Sequence, residues 1–325
     1  TAIDRTAKTV TVRNLDTGEV FTESYDKLLL SPGAKPTQPA LPGVGLDRLF
    51  TLRTVEDTLR IHRFVEEHHP RSVVLAGGGF IGLELAENLR DRGLEVTIVQ
   101  RPKQLMTPFD ADMAALIHRE VRAHGVRLAL GHTVEGFAEA DGGVQVLLKG
   151  EQPLQADMVI LAIGVTPDSR LAADAGLELG LKGSILVNDR MQTSDPDIYA
   201  VGDVVQVNHF VTGQPALIAL AGPANKQGRI AADNIAGGDS RYTGSQGSSV
   251  LKIFSLTAAA TGLNEGAARR AGFDTEAVVL SPMNHAGYYP GGRVMTMKVL
   301  FEKGTGKVLG AQIVGSDGVD KRIDV

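Results

Sequence analysis

Three glycines, Gly77, Gly79 and Gly82, set a G-x-G-x-x-G spacing around Phe80 and Ile81, and the chemistry of that spacing is the binding of a pyrophosphate. Gly77 permits a tight bend out of a strand. Gly79 lets backbone approach phosphate without a Cβ in the way, and Gly82 lets helix pack closely on strand. A following helix would offer unpaired N–H groups and a positive dipole end. Such a turn alone is a weak signal. Here the apolar run Val73–Ala76 precedes it, a helical stretch Gly82–Arg90 follows, and a second strand comes at Glu95–Val99, so Arg71 to Gln100 reads as a dinucleotide-binding βαβ unit. Counting on, 100 − 77 = 23 residues lead to Gln100, where an NAD-binding unit usually offers a carboxylate to the ribose 2′-hydroxyl. Arg101 and Lys103 suit a 2′-phosphate and would equally serve as solvated loop cations, so the spacing implies NAD(P)H with a slight lean to NADPH.

Other chemistries are narrowed by composition. The chain of 325 residues has no cysteine, which removes disulfides, thiolate zinc sites and thiol nucleophiles from these residues. Its eight histidines show no metal-ligand spacing, and His68-His69 reads as a helix end. A net charge of −5, 5% aromatic residues and no tryptophan give neither a basic field nor stacking platforms for nucleic acid. No apolar run is long enough to span a membrane, and the first residues lack signal-peptide character, so the default location is cytoplasmic.

The elements that must position the motif follow from periodicity. Thr9–Arg13 and Val20–Glu23 form a hairpin across Asp16-Thr17-Gly18, and Tyr25–Leu30 forms a strand running into the turn Ser31-Pro32-Gly33-Ala34. A proline-rich linker covers 35–43. Thr54 starts an amphipathic helix reaching His69, and Asp110 caps a helix reaching about His124. Strands are expected at Val126–Leu130, Val134–Ala138, Val144–Leu148 and Asp157–Ala162, then a helix over Pro223–Ile235. From about Thr243 the pattern shifts to an α+β domain, with strands at Val250–Phe254, Val294–Phe301 and Val308–Val314 and a helix at Glu265–Ala271.

In that order the pieces resemble the pyridine nucleotide–disulfide oxidoreductases, flavoproteins with two dinucleotide-binding domains. Tyr25–Ala34 is similar to the family's join between flavin and NAD(P)H domains, and Ala162–Pro167 to its A-x-G-x-x-P return segment through Gly164. Ile198–Asp203 is similar to its second flavin motif. The resemblance implies FAD and NAD(P)H as cofactors, with flavin contacts from Ser31, Gly33, Gly202 and Asp203; that aspartate would meet the ribityl chain. The chain is most similar to the branch containing coenzyme A-disulfide reductases, NADH oxidases and persulfide reductases, and Asn284–Gly292 resembles the H-A-x-Y-Y-P-G loop of its coenzyme A-disulfide and persulfide reductases. In that branch a tyrosine from the partner subunit lies near the disulfide, which makes Tyr288 or Tyr289 the candidate acid at sulfur. Both also suit interface packing. Glu84 would lie near nicotinamide and flavin, or serve only the helix dipole, and His285 reads as a loop residue. Lys226–Arg229 resembles the helix facing the flavin pyrimidine.

The implied fold is α/β: a partial FAD domain and linker helix (1–70), a complete NAD(P)H-binding Rossmann-like domain (71–163), a second part of the FAD domain (164–243) and a partial interface domain (244–325). The family's first glycine fingerprint and redox cysteine are not in the sequence, so the chain reads as a piece of a longer enzyme, with its flavin-side segments short of a central sheet and FAD held weakly. The implied activity is hydride passage from NAD(P)H through FAD to a small disulfide, persulfide or polysulfide, in a homodimer. An NADH oxidase of the same fold, and a non-catalytic nucleotide-binding module, are the rival readings.

Overall fold

The computed structural model describes residues 1–324. They form two units, one built from Pro36–Gly164 together with the residues from Ser248 onward, the other from Thr1–Lys35 and Val165–Gly247.

In the first unit a five-stranded, wholly parallel sheet runs in the order Leu49–Thr51, Met158–Leu161, Ser72–Ala76, Glu95–Gln100, Arg127–Leu130. Its central strands are apolar runs because both faces are covered; Leu75, Ile98 and Ile160 are wholly buried. The edge strand Leu49–Thr51 lies in a stretch where periodicity gives no strand. Helices Phe80–Asp91 and Ala111–Ala123 bury Leu83, Ala86, Ile117 and Val121 into the same core. Helix Val55–His68 starts as expected at Thr54, with a reciprocal capping box: Asp57 N–H donates to Thr54 Oγ1 at 3.2 Å and Thr54 N–H to Asp57 Oδ2 at 3.0 Å. An antiparallel sheet of Val134–Ala140, Gly143–Leu148 and Leu154–Ala156 covers the opposite face, packing Phe137, Val144 and Val146 on Val74 and Val159.

Beyond Ser248 lies a five-stranded antiparallel sheet, Ser249–Ile253, Leu256–Gly262, Val308–Gly315, Thr296–Glu302, Thr275–Leu280. It joins the parallel-sheet core through Leu251, Ile253, Ala258, Ala260 and Val314. Asp110 explains part of that junction. It stands at the N-cap of Ala111–Ala123 but makes no side-chain cap bond there; its carboxylate accepts instead from Glu265 N–H at 3.0 Å and from Gln312 Nε2 at 2.7 Å. Lys298, only 5% exposed along its side chain, lies 2.6 Å from Glu265, 2.8 Å from Asp112 and 3.3 Å from Asp110. Burial would discharge an isolated ammonium, but these carboxylates more than offset it and raise the Lys298 pKa.

The second unit is thinner. A hairpin sheet joins Ala2–Asp4, Thr9–Arg13 and Val20–Ser24, and a separate parallel pair joins Leu28–Leu30 to Ile198–Ala200. Helix Ala221–Ile235 buries Gln227, Ile230 and Ala231 against this part. Leu29 remains 41% exposed, and a cavity of about 430 Å³ in the other unit has an apolar counterpart here of about 420 Å³, lined by Val10, Val12, Leu28, Leu30 and Leu171.

Candidate functional site

The glycine turn leaves the C-terminal end of Ser72–Ala76, the place where open parallel sheets bind ligands. Each glycine has its own reason. Gly77 has φ +120°, and a Cβ there would fall 2.2 Å from the Ala162 carbonyl oxygen. On Gly82 a Cβ would fall 2.0 Å from the Gly77 carbonyl oxygen, while on Gly79 it would meet no atom within 4 Å. So two glycines are demanded by the fold, and the third borders open space. Gly79 is also the N-cap of Phe80–Asp91 and has no side chain to satisfy the first N–H groups of that helix. An open cradle with free N–H donors fits a pyrophosphate.

Gln100 stands at the end of its strand, but its side chain turns inward: Oε1 accepts from Gly78 N–H at 2.9 Å. Arg101 and Lys103 follow, both exposed. The return segment abuts the turn through Ala162 and Ile163, and Gly164 beyond it has φ +111° with open space at its Cα and a carbonyl that accepts from Thr37 N–H at 2.9 Å. Glu84 lies in the second turn of the helix, open to solvent over much of its length; burial of the carboxyl raises its pKa, and the charge of Glu87 adds to the rise. Glu87 itself is engaged, accepting from Phe254 N–H at 2.7 Å and pairing with Lys252.

One residue near this turn carries no sequence signal. Leu105 N–H donates to His118 Nε2 at 3.0 Å, and burial, aided by the charge of Arg122, lowers the His118 pKa.

In the other unit, Ser31–Gly33 and Gly202–Asp203 leave the same ends of the two paired strands, with Val201 N–H donating to the Leu30 carbonyl at 3.0 Å. Gly33 and Gly202 have φ +74° and +83°. Gly202 N–H donates to the buried Gln227 Oε1 at 2.7 Å, which ties the turn to helix Ala221–Ile235. Two positive-φ glycine turns beside a helix start whose N-cap, Leu220, makes no side-chain bond suit one margin of a flavin.

Tyr288 and Tyr289 lie in the loop between Thr275–Leu280 and Thr296–Glu302, 84% and 62% exposed, with ring centroids 5.0 Å apart. His285 meets Tyr289 edge-on at 6.4 Å, and its buried Nε2 has no hydrogen-bond partner among the described residues. No group of three or more histidine, aspartate or glutamate side chains that could hold a metal occurs among the described residues. No helix among them is long and apolar enough to cross a membrane.

A two-dinucleotide-domain flavoprotein is the class this arrangement defines. The family model described as pyridine nucleotide-disulphide oxidoreductase matches residues 1–228, and the dimerisation domain of the same family matches 248–325. The chain belongs to the pyridine nucleotide–disulphide oxidoreductases, enzymes that work with FAD and NAD(P)H. A coenzyme A disulfide reductase of Staphylococcus aureus is 35% identical over the whole chain, which spans 72% of that protein. The reduced CoADR-RHD of Bacillus anthracis is 48% identical with a TM-score of 0.96, and an NAD-dependent persulfide reductase of A. fulgidus is 37% identical with a TM-score of 0.95. The chain, covered in full, spans only 58% and 60% of those two structures.

Proposed function

We propose that the protein passes reducing equivalents from NAD(P)H, NADPH preferred, through FAD to a small disulfide, persulfide or polysulfide, as a cytoplasmic homodimer. The observation that carries the choice of acceptor is the pair of adjacent, outward-facing phenols of Tyr288 and Tyr289 in their His-Ala-Gly-Tyr-Tyr-Pro-Gly loop. When bound, the reduced nicotinamide supplies a hydride and the flavin accepts it.

The chain's own residues bind and orient. The Gly77–Gly82 turn and the start of Phe80–Asp91 hold the pyrophosphate. Arg101 and Lys103 attract a 2′-phosphate, and Gln100, uncharged, does not repel one. Ser31, Gly33, Gly202 and Asp203 border the flavin. Glu84, whose pKa is raised by burial and by the charge of Glu87, stands beside the nicotinamide. A tyrosine hydroxyl donates a hydrogen bond to the departing sulfur. The thiol that would take up the sulfur is supplied from outside these residues, which contain no cysteine.

Turnover by the full-length protein of coenzyme A disulfide, inorganic polysulfide and dioxygen, each with NADPH and NADH, tests the reading. Sulfur-acceptor turnover with NADPH kcat/KM about tenfold above NADH is expected, the size of one good charge-assisted contact. Oxygen consumption without sulfur turnover would make the protein an NADH oxidase of this fold. Nucleotide binding without electron transfer would make it a binding module.

A further inference from the structure

The Gly77–Gly79 turn is held from behind by a series of contacts that ends on a histidine outside the glycine motif. The Gly78 carbonyl accepts from Met106 N–H at 2.9 Å. Met106 is completely buried and has φ +47°, a left-handed backbone that a long side chain adopts only when its surroundings impose it. Leu105, just before it, packs on the turn so closely that a Cβ on Gly78 would lie 2.3 Å from Leu105 Cδ2. Leu105 N–H in turn donates to His118 Nε2. His118 is itself fixed, since its neighbours on Ala111–Ala123, Ile117 and Val121, are wholly buried.

The geometry of one peptide links this series to ligand binding. In a trans peptide the C=O and the following N–H point in opposite directions. Anchoring the Gly78 carbonyl on Met106 therefore aims Gly79 N–H away from the protein body, towards the open side where a Gly79 Cβ would meet nothing.

We infer that His118 is a positioning residue for the pyridine nucleotide: its Nε2 fixes Leu105 and Met106, and they fix the plane of the Gly78–Gly79 peptide that faces the pyrophosphate. The inference rests on the reading of this turn as the nucleotide site. A side chain at 118 must present an acceptor at the distance of an imidazole Nε2. Glutamine can do so with Oε1; leucine and the shorter asparagine cannot, and they leave Leu105 N–H buried without a partner.

NADPH affinity of the full-length protein, measured by calorimetry and alongside steady-state KM and kcat, decides the matter. His118→Leu is expected to raise Kd and KM about tenfold with kcat at saturation little changed, the loss expected for one orphaned buried donor. His118→Asn carries the same expectation should the leucine variant fold poorly, and His118→Gln restores most of the affinity. Val121→Ala on the same helix lowers the melting temperature without moving Kd. Parental Kd in the leucine and asparagine variants, a glutamine variant as weak as they are, or an equal loss in Val121→Ala would each overturn the role of His118. Absence of nucleotide binding by the unsubstituted protein would instead overturn the nucleotide site, and this inference with it.

Discussion

Two glycine turns leave parallel strands in this protein, and their surroundings differ in depth. Gly77 sits at the end of a strand flanked on both sides within a five-stranded sheet, with the Ala162 backbone 2.2 Å from where its side chain would be. Gly202 follows a strand with a single parallel partner, and the atom nearest to its would-be Cβ is 3.9 Å away. Both adopt positive φ, so dihedral preference alone would rate them alike. The difference lies in packing: the first turn is demanded by its own domain, while the second is shaped by backbone conformation and by hydrogen bonds, Gly202 N–H to Gln227 and Val205 N–H to the Gly202 carbonyl.

The comparison can be broken by making the same change in both places. Gly77→Ala is expected to cost at least ~3 kcal/mol, because strain and backbone overlap add, whereas Gly202→Ala should cost only about 1 kcal/mol from its left-handed backbone. Equal losses in urea unfolding would show that packing depth does not separate the two turns. Core truncation is next in size. Ile98→Ala, at a wholly buried position, should lose about 2–4 kcal/mol, and Leu29→Ala, 41% exposed, less than about 1 kcal/mol.

Acid sensitivity gives a smaller contrast. Burial works to raise Asp157, but N–H bonds from Arg71 and Ser72, the Ser72 hydroxyl and the charge of Arg48 outweigh it and hold the pKa below the usual carboxylate range. Asp197, bonded to Lys27 and Lys8, is lowered to about 2. For both, the folded pKa lies below the unfolded one, so their stabilisation is complete above the unfolded value and is lost as pH falls through the folded one. Asp157→Ala should flatten the decline of urea midpoints below about pH 4 in any salt. The effect of Asp197→Ala should vanish in about 1 M salt, where exposed pairs are screened. Gly79→Ala completes the series: no change in melting temperature, since nothing lies within 4 Å of the new methyl, but weaker NADPH binding by titration.

The glycine turn after Ser72–Ala76 was readable in the chain because its determinants are local: glycine types, an apolar run and a helix within thirty residues. Leu49–Thr51 was not, since three residues after a proline-rich stretch become a strand only by pairing with Met158–Leu161. Leu256–Gly262 hid for another reason. Its Thr-Ala-Ala-Ala-Thr sequence has no alternation of apolar and polar residues, because Ala258, Ala259 and Ala260 are all buried by neighbours on both faces. Asp110 read as a cap, yet its carboxylate is used by Gln312 and Lys298, about two hundred residues away in the chain. Gln100 read as a missing carboxylate, and its bond to Gly78 gives the amide a task that sequence spacing alone does not reveal. His118 offered no signal, since an isolated histidine on a helix becomes meaningful only when a loop amide is brought to it.

Lys298 has a thermodynamic consequence. An ammonium enclosed by Asp110, Asp112 and Glu265 is tolerable only while all three neighbours stay in place, and they come from two different stretches of chain. Peeling the antiparallel sheet from the parallel one would strand that charge against an apolar surface. Heating should therefore melt both sheets in a single calorimetric peak, and replacing Lys298 with methionine should let that peak split.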